Sequence, residues 1–431
     1  MADWKRYTPE GTQDVLPRQC TNKMKTEAAI SDVFESYGYM VAETPVMQFY
    51  DAFNTPSGKI PQETMFKFFD AQGRILVLRP DITTCLARMV ACKLDDGCYP
   101  KRLYYCGKVF RYLDPNTSGE REFCQAGIEL FGVKSDLADS EVICCAIEAL
   151  LASGLERFQI EIGQVDFYKA IVADSGLSDD DAESLRVLMD KKDAIAIHEF
   201  LKDRKVAPKL AALLEELPSL FGGPEVLDRL DTSLLSAQAK EAIRNLKAVY
   251  QILVDYGYED YISIDLSLVQ GINRYTGIIF KGITHGIGYS ICAGGRYDGL
   301  TGEFGADLPA VGMAIGTDRL LTVLSRQNCL EPVFGSDFLV VCKDSKLAQS
   351  VLSSLRESGY VAERALTDDD AEALRAYAEK NNIQGILTVK DAHHAEIYNV
   401  ELCETTAANL HELFEHDEDC HCDHCEGGDE D

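Results

Sequence analysis

Basic residues are scarce in this sequence: 42 Lys and Arg stand against 71 Asp and Glu, which leaves a formal net charge of −29 and a pI near 4.6. An acidic balance this strong works against a phosphate-backbone partner, so nucleic acid is not expected as the main ligand. Long apolar runs are absent as well. The longest, Val142 to Leu155, is broken by Glu148 and falls short of a bilayer span, and the first twenty residues hold no apolar stretch of the signal-peptide kind. The expectation is a soluble, cytoplasmic chain with no membrane partner. A disulfide framework is missing too. The 15 cysteines are odd in number and scattered, and Cys85, Cys144, Cys145, Cys292 and Cys342 sit in apolar surroundings, which suits reduced core thiols. No internal repeat is found. What is present is material for packed cores: 431 residues, 46% of them hydrophobic, suggest about three domains.

Apolar spacing over Met24 to Tyr37 predicts a helix that Gly38 ends. Short runs between Thr64 and Phe131 (MFKFFD, ILVLRP, RLYYCGKVFRYL, REFCQAGIELFG) predict closely spaced, antiparallel strands, with a helix from Thr83 to Cys92 among them. A buried helix, Ser140 to Ser153, and a strand, RFQIEIG, follow. Between Asp174 and Tyr256 the pattern turns helical, and strands return in YISIDLSLV, YTGIIFKGI and YSICAGG before a helix at Gly316 to Ser325. The domain reading is a core in two parts, 1–172 and 258–330, around a helical insertion at 173–257. A small α/β domain spans 335–402, where strand and helix patterns alternate. The fold class is α+β, an antiparallel sheet flanked by helices. Residues 403–431 hold eleven acids and no Lys or Arg, which predicts a mostly disordered tail.

Four clusters place polar residues in apolar strands: LRPDITT, VFRYLDPNTSGEREFCQAGIELFG, QGINRYTG, and AGGRYDGL with PAVGMAIGTDRL. In the second, Gln125, Gly127 and Glu129 alternate and share one face of a strand, with Arg111 on the preceding strand across from them. Asp81, Thr83 and Glu129 suit an ammonium, and Arg111 suits a carboxylate or phosphate, so together they outline an amino-acid-shaped pocket. A structural salt-bridge network satisfies the same spacing. Gly294 and Gly295 fit either close approach of a ligand or a tight strand end.

The order and wording of these clusters resemble the histidyl-tRNA synthetase family over residues 7 to 325. YTPEGTQDVLP is similar to its N-terminal signature and ETPVM, with Pro45, to its dimer-forming first motif. FRYL and REFCQAGIELFG are similar to the second motif, AGGRYDGL and GMAIGTDRL to the last. The resemblance implies a class II aminoacyl-tRNA synthetase-like fold, with a six-stranded antiparallel sheet and a homodimer. It also implies a histidine-binding site at Asp81, Thr83, Arg111, Gln125, Glu129 and Tyr275, and it likens the segment after Gly335 to a shortened anticodon-binding domain.

The departures point away from synthesis of an adenylate. Where the synthetases carry an Arg-Gly-Leu-Asp-Tyr-Tyr-Thr type motif, this chain reads QGINRYT, and Gln270, a neutral amide, cannot offset a developing phosphate anion. Arg274 is read as no substitute, since four residues along a strand are ~13 Å. Leu113 and Asp114 stand where the second motif has Glu and Arg, and PNTSGERE keeps one arginine, Arg121, in place of two. Arg319 stands at the third-motif position where, by the resemblance, the synthetases bind a nucleotide phosphate; without the other ATP contacts it reads instead as a salt-bridged helix residue. LRPDITT instead resembles the regulatory-subunit family of ATP phosphoribosyltransferase, the synthetase paralogue that supports a short catalytic subunit in the first step of histidine biosynthesis. The resemblance implies a non-catalytic, histidine-sensing regulator whose partners are that catalytic subunit, a second copy of itself and free histidine, with tRNA binding lost. The alternative is a histidyl-tRNA synthetase, or a synthetase-like enzyme activating another amino acid.

The tail carries a separate signal. Cys420, His421, Cys422, His424 and Cys425 fall within six residues, and thiolates and imidazoles at this density match zinc or copper. The paired CxxC knuckles of a folded finger are lacking, and an unstructured acidic tail is the plain alternative. No cofactor is expected to be required.

Overall fold

Alternating strands from both ends of the first 330 residues interleave into one sheet. The computed structural model describes residues 4–56, 60–112, 119–269, 274–367 and 370–410. Lys101–Phe110 pairs antiparallel with Glu122–Phe131, Gly107 lying opposite Gln125. Ala310–Gly316, Cys292–Arg296, Ile278–Thr284 and Phe158–Gln164 follow, each antiparallel to the last. Met40–Val41 adds a parallel strand at one edge, and Ile262–Asp265 and Phe221–Gly222 extend the other, giving nine strands in all. The six-stranded antiparallel sheet that the family resemblance implies is the centre of this array. A small antiparallel sheet of Met47–Phe49, Ile75–Leu78 and Lys67–Phe69 lies beside it in sequence.

The helices cover what the strands leave apolar. Pro17–Ser36 starts on a proline, which costs nothing where the N–H has no helical partner, and stops before Gly38, whose φ is +79°. Asp136–Ala152 is capped by Ser135, whose Oγ accepts from the Ala138 amide at 3.1 Å. Most of its surface is buried because it packs against Pro17–Ser36, Ala237–Asp255 and the strand Ala310–Gly316 at once. The predicted helix at Thr83 is shorter than expected: Thr83–Met89 is α-helical and Val90–Leu94 winds as a π turn.

Residues 173–257 are largely helical, with Asp179–Asp190, Ala194–Asp203, Pro208–Glu216 and Ala237–Asp255. They are not walled off from the core: Leu185, Met189, Leu214 and Leu246 belong to the same apolar cluster as Ile128 and Ile160 of the sheet. Met1–Leu330 is one unit and Glu331–Asp431 a second.

In the second unit Ala362–Arg364, Phe338–Val341 and Gly385–Val389 are parallel, and His394–Asn399 and Glu404–Asn409 continue antiparallel. Alternation sends Val340 and Leu387 to the helix Ser345–Glu357, and Leu339 and Ile386 to Ala371–Asn381. The boundary drawn at residue 402 needs correction. Glu404–Asn409 pairs with His394–Asn399 along its whole length, and Leu410 beyond it is buried. Its sequence, ETTAAN, has no large apolar residue to announce a strand. Cys420, His421, Cys422, His424 and Cys425 lie outside the described residues, as do Gln270, Leu113 and Asp114. Among the described residues every cysteine is a free thiol, and no helix is long and apolar enough to cross a membrane.

Candidate functional site

A cavity of about 290 Å³ opens on the large sheet, and Asp81, Thr83, Arg111, Gln125, Glu129 and Tyr275 all line it. Its space is made by missing side chains. Gly312 lies directly opposite Glu129 in the register, and a Cβ there would collide with the Glu129 carboxylate. A Cβ on Gly127 would strike the Met313 carbonyl and the Tyr105 hydroxyl. Gly294 and Gly295 sit inside the strand Cys292–Arg296, where a side chain would meet neighbouring backbone, so they serve close strand packing.

Glu129 projects from the middle of Glu122–Phe131 and is 1% exposed. Tyr297 donates its hydroxyl to Oε2, while Oε1 has no hydrogen-bond partner among the described residues. Burial pushes the carboxyl up to about 7, against the opposing pull of nearby Thr83, Tyr297 and Arg274. Thr83 lies close enough to exert that pull without completing a bond to Oε1.

Asp81 stands just ahead of the helix Thr83–Met89. Its Oδ1 accepts from the Thr84 amide at 2.9 Å and its Oδ2 from the Thr84 hydroxyl at 3.1 Å. The preceding loop is pinned by buried Arg79, which donates to the carbonyls of Lys108 (2.8 Å) and Thr44 (2.6 Å). Arg111 lies just past the end of its strand. Its Nε donates to the Pro80 carbonyl at 2.8 Å, its guanidinium lies 5.6 Å from the Phe123 ring, and burial lowers its proton affinity. It makes no ion pair among the described residues. Tyr275 lines the cavity with its side chain, and its backbone carbonyl accepts from Lys169 Nζ at 2.9 Å.

Two arginines differ from expectation. Arg319 is not salt-bridged among the described residues: it lies 5.0 Å from the Tyr289 ring, donates to the Ser290 carbonyl at 3.4 Å, and lines the cavity. Arg274 does reach the site. It lies ahead of the strand that begins at Ile278, and its Nη1 meets Asp81 Oδ2 at 3.0 Å. Tyr297 was also missed as a site residue, although it belongs to AGGRYDGL. A closed salt-bridge network does not describe this array, since Glu129, Arg111 and Arg319 have no ionic partner among the described residues. The arrangement suits a small zwitterion, with guanidinium groups for a carboxylate and buried carboxylates for a cation.

Fold and cavity together define a class II aminoacyl-tRNA synthetase-like protein. Residues 11–320 match the model of the histidyl-tRNA synthetase family. The chain is 43% identical to the ATP phosphoribosyltransferase regulatory subunit of Acetivibrio thermocellus, over 96% of this chain and 100% of that one. It is 37% identical to that of Ruminiclostridium cellulolyticum, over 93% and 96%. A solved Bacillus halodurans structure, described as an ATP phosphoribosyltransferase regulatory subunit/histidyl-tRNA synthetase, superposes with a TM-score of 0.80 at 29% identity, covering 90% of this chain and 99% of that one. A histidyl-tRNA synthetase from Nostoc sp. shares the fold, with a TM-score of 0.82 at 22% identity over 95% and 98%. The chain belongs to the histidyl-tRNA synthetase family and, within it, to the ATP phosphoribosyltransferase regulatory subunits.

Proposed function

We propose that the chain is a non-catalytic subunit that assembles with an ATP phosphoribosyltransferase catalytic subunit and holds free histidine in this cavity as a feedback signal. One observation supports the reading: Asp81, Thr83, Arg111, Gln125, Glu129 and Tyr275 line a single cavity, which the arginine kept in the second-motif turn does not reach. Arg121, the arginine kept in the second-motif turn, lies 4.6 Å from the Tyr112 ring, pairs with Glu10 at 3.3 Å and does not line the cavity. With Arg121 engaged elsewhere and a neutral amide at position 270, less positive charge is at hand to stabilise the anion that develops in adenylation. A homodimer is supported by exposed apolar residues at the sheet edge and the small sheet, Met40, Val41, Val46, Met47 and Phe49. The chain's acidity argues against tRNA.

The test has two arms. Affinity capture from cell extract should bring down a short phosphoribosyltransferase with this chain, and the pure chain should not exchange labelled pyrophosphate into ATP with histidine or any other amino acid. Exchange at a synthetase-like rate would overturn the reading in favour of an amino-acid-activating enzyme.

A further inference from the structure

The charge missing at Gln270 has a counterpart four residues on. In QGINRYT the cation stands at Arg274, where the synthetase motif has the first of its two tyrosines. Arg274 spends that charge on Asp81, a residue 3% exposed whose two oxygens already accept the Thr84 amide and hydroxyl. The carboxylate that suits an incoming ammonium is therefore neutralised from within. The other charged groups of the cavity are in the opposite state: Glu129 Oε1 is unpartnered, and Arg111 and Arg319 make no ion pair among the described residues. The guanidinium side of a zwitterion site is open, and on the cation side Glu129 Oε1 is open while Asp81 is filled by the protein's own guanidinium.

We propose that Arg274 is the affinity-setting residue of the site, an internal competitor that the ligand's ammonium must displace from Asp81. This rests on the histidine-binding reading above. The carboxylate of the amino acid enters on Arg111 and Arg319, its ammonium replaces Arg274 at Asp81 Oδ2, and the guanidinium withdraws. The guanidinium carbon already lies 5.9 Å from the Tyr297 ring while it holds Asp81, so that aromatic face can keep part of its contact with the cation as the Asp81 bond is given up. The exchange is a side-chain movement, because the adjoining Tyr275 carbonyl stays tied to Lys169. Apparent affinity is then the intrinsic affinity multiplied by the fraction of molecules in which Asp81 is released, so Arg274 sets the histidine concentration at which the sensor responds.

Titration calorimetry on the full-length chain separates this from a structural ion pair. L-histidine and 3-(imidazol-4-yl)propionate, which lacks only the ammonium, are titrated into the unaltered chain and Arg274→Gln. The variant should bind histidine about tenfold more tightly, with the affinity for the deaminated analogue unchanged. A histidine affinity that is unchanged or weaker, or an equal gain for both ligands, overturns the proposal. Binding of histidine to neither chain defeats the sensor reading and the competitor with it, whereas binding to the unaltered chain without a gain in the variant defeats the competitor alone. A crystal structure of the unaltered chain with histidine decides the matter independently of how the variant folds. Arg274 should have left Asp81, and a 3.0 Å bond that persists beside bound histidine refutes the proposal.

Discussion

Glu129 is held where its charge is penalised. An ordinary glutamate titrates near 4.5 and this one near 7, so between those values the folded chain keeps a proton that the unfolded chain has released. Stability therefore falls as pH rises from about 4.5 to about 7, and the full cost, on the order of 3 kcal/mol at ~1.4 kcal/mol per unit, persists above. Glu129→Gln should raise the melting midpoint at pH 8 and change it little at pH 5; an equal gain at both would show that the proton is not the cause. Glu129→Ala should weaken histidine binding by about 2 to 5 kcal/mol, as expected for loss of one partner of a buried charged contact, read by calorimetry. At this scale the sequence was informative where a repeating period or a motif spoke for a residue. Gln125, Gly127 and Glu129 share a face because a strand alternates. Arg274 was lost because an extended rise was assigned to a position that lies ahead of the strand Ile278–Thr284.

Strand and helix are joined across the sheet by one internal ion pair, Arg296 of Cys292–Arg296 with Asp139 of Asp136–Ala152, 2.7 Å apart with each side chain 3% exposed. Burial pushes Asp139 up to about 6 although the arginine opposes it, while the carboxylates around Arg296 hold its charge more firmly. The desolvation of the carboxylate outweighs its gain from the pair, which makes the contact a device of registry more than of stability. Arg296→Met should cost about 3–5 kcal/mol in denaturant unfolding, because it leaves Asp139 buried without its partner; a loss under 1 kcal/mol would mean that Asp139 is neutral in the native state. Elements with bulky apolar or β-branched residues, such as Phe158–Gln164 and Ile278–Thr284, were legible in the sequence. Ala310–Gly316, central to the sheet, entered the sequence reading only as part of a motif cluster, without strand bounds: AVGMAIG interrupts its Val, Met and Ile with alanines and glycines, and Gly312 has to leave room for Glu129.

For the whole molecule, the end of the second unit decides what can be removed. A chain ending at Leu410 keeps all five strands of that sheet and should melt like the full-length protein and still capture the catalytic subunit. One ending at Leu402 lacks Glu404–Asn409 and should melt at a lower temperature. Equal midpoints would show that this strand contributes nothing. Both truncations remove Cys420, Cys422 and Cys425, so any zinc or copper found by elemental analysis in the full chain should vanish from both. The sheets also limit how the protein can be recognised. The outer strands of the large sheet, Met40–Val41 and Phe221–Gly222, are two residues each, and those of the small sheet, Met47–Phe49 and Lys67–Phe69, three. Strands so short each offer few main-chain donors and acceptors for another chain to zip onto. In the second unit the six-residue outer strand Glu404–Asn409 is a longer edge for backbone-templated association, productive or amyloid-like, and the last 21 residues of the sequence, with ten acids and no Lys or Arg, set like charge against a second copy there.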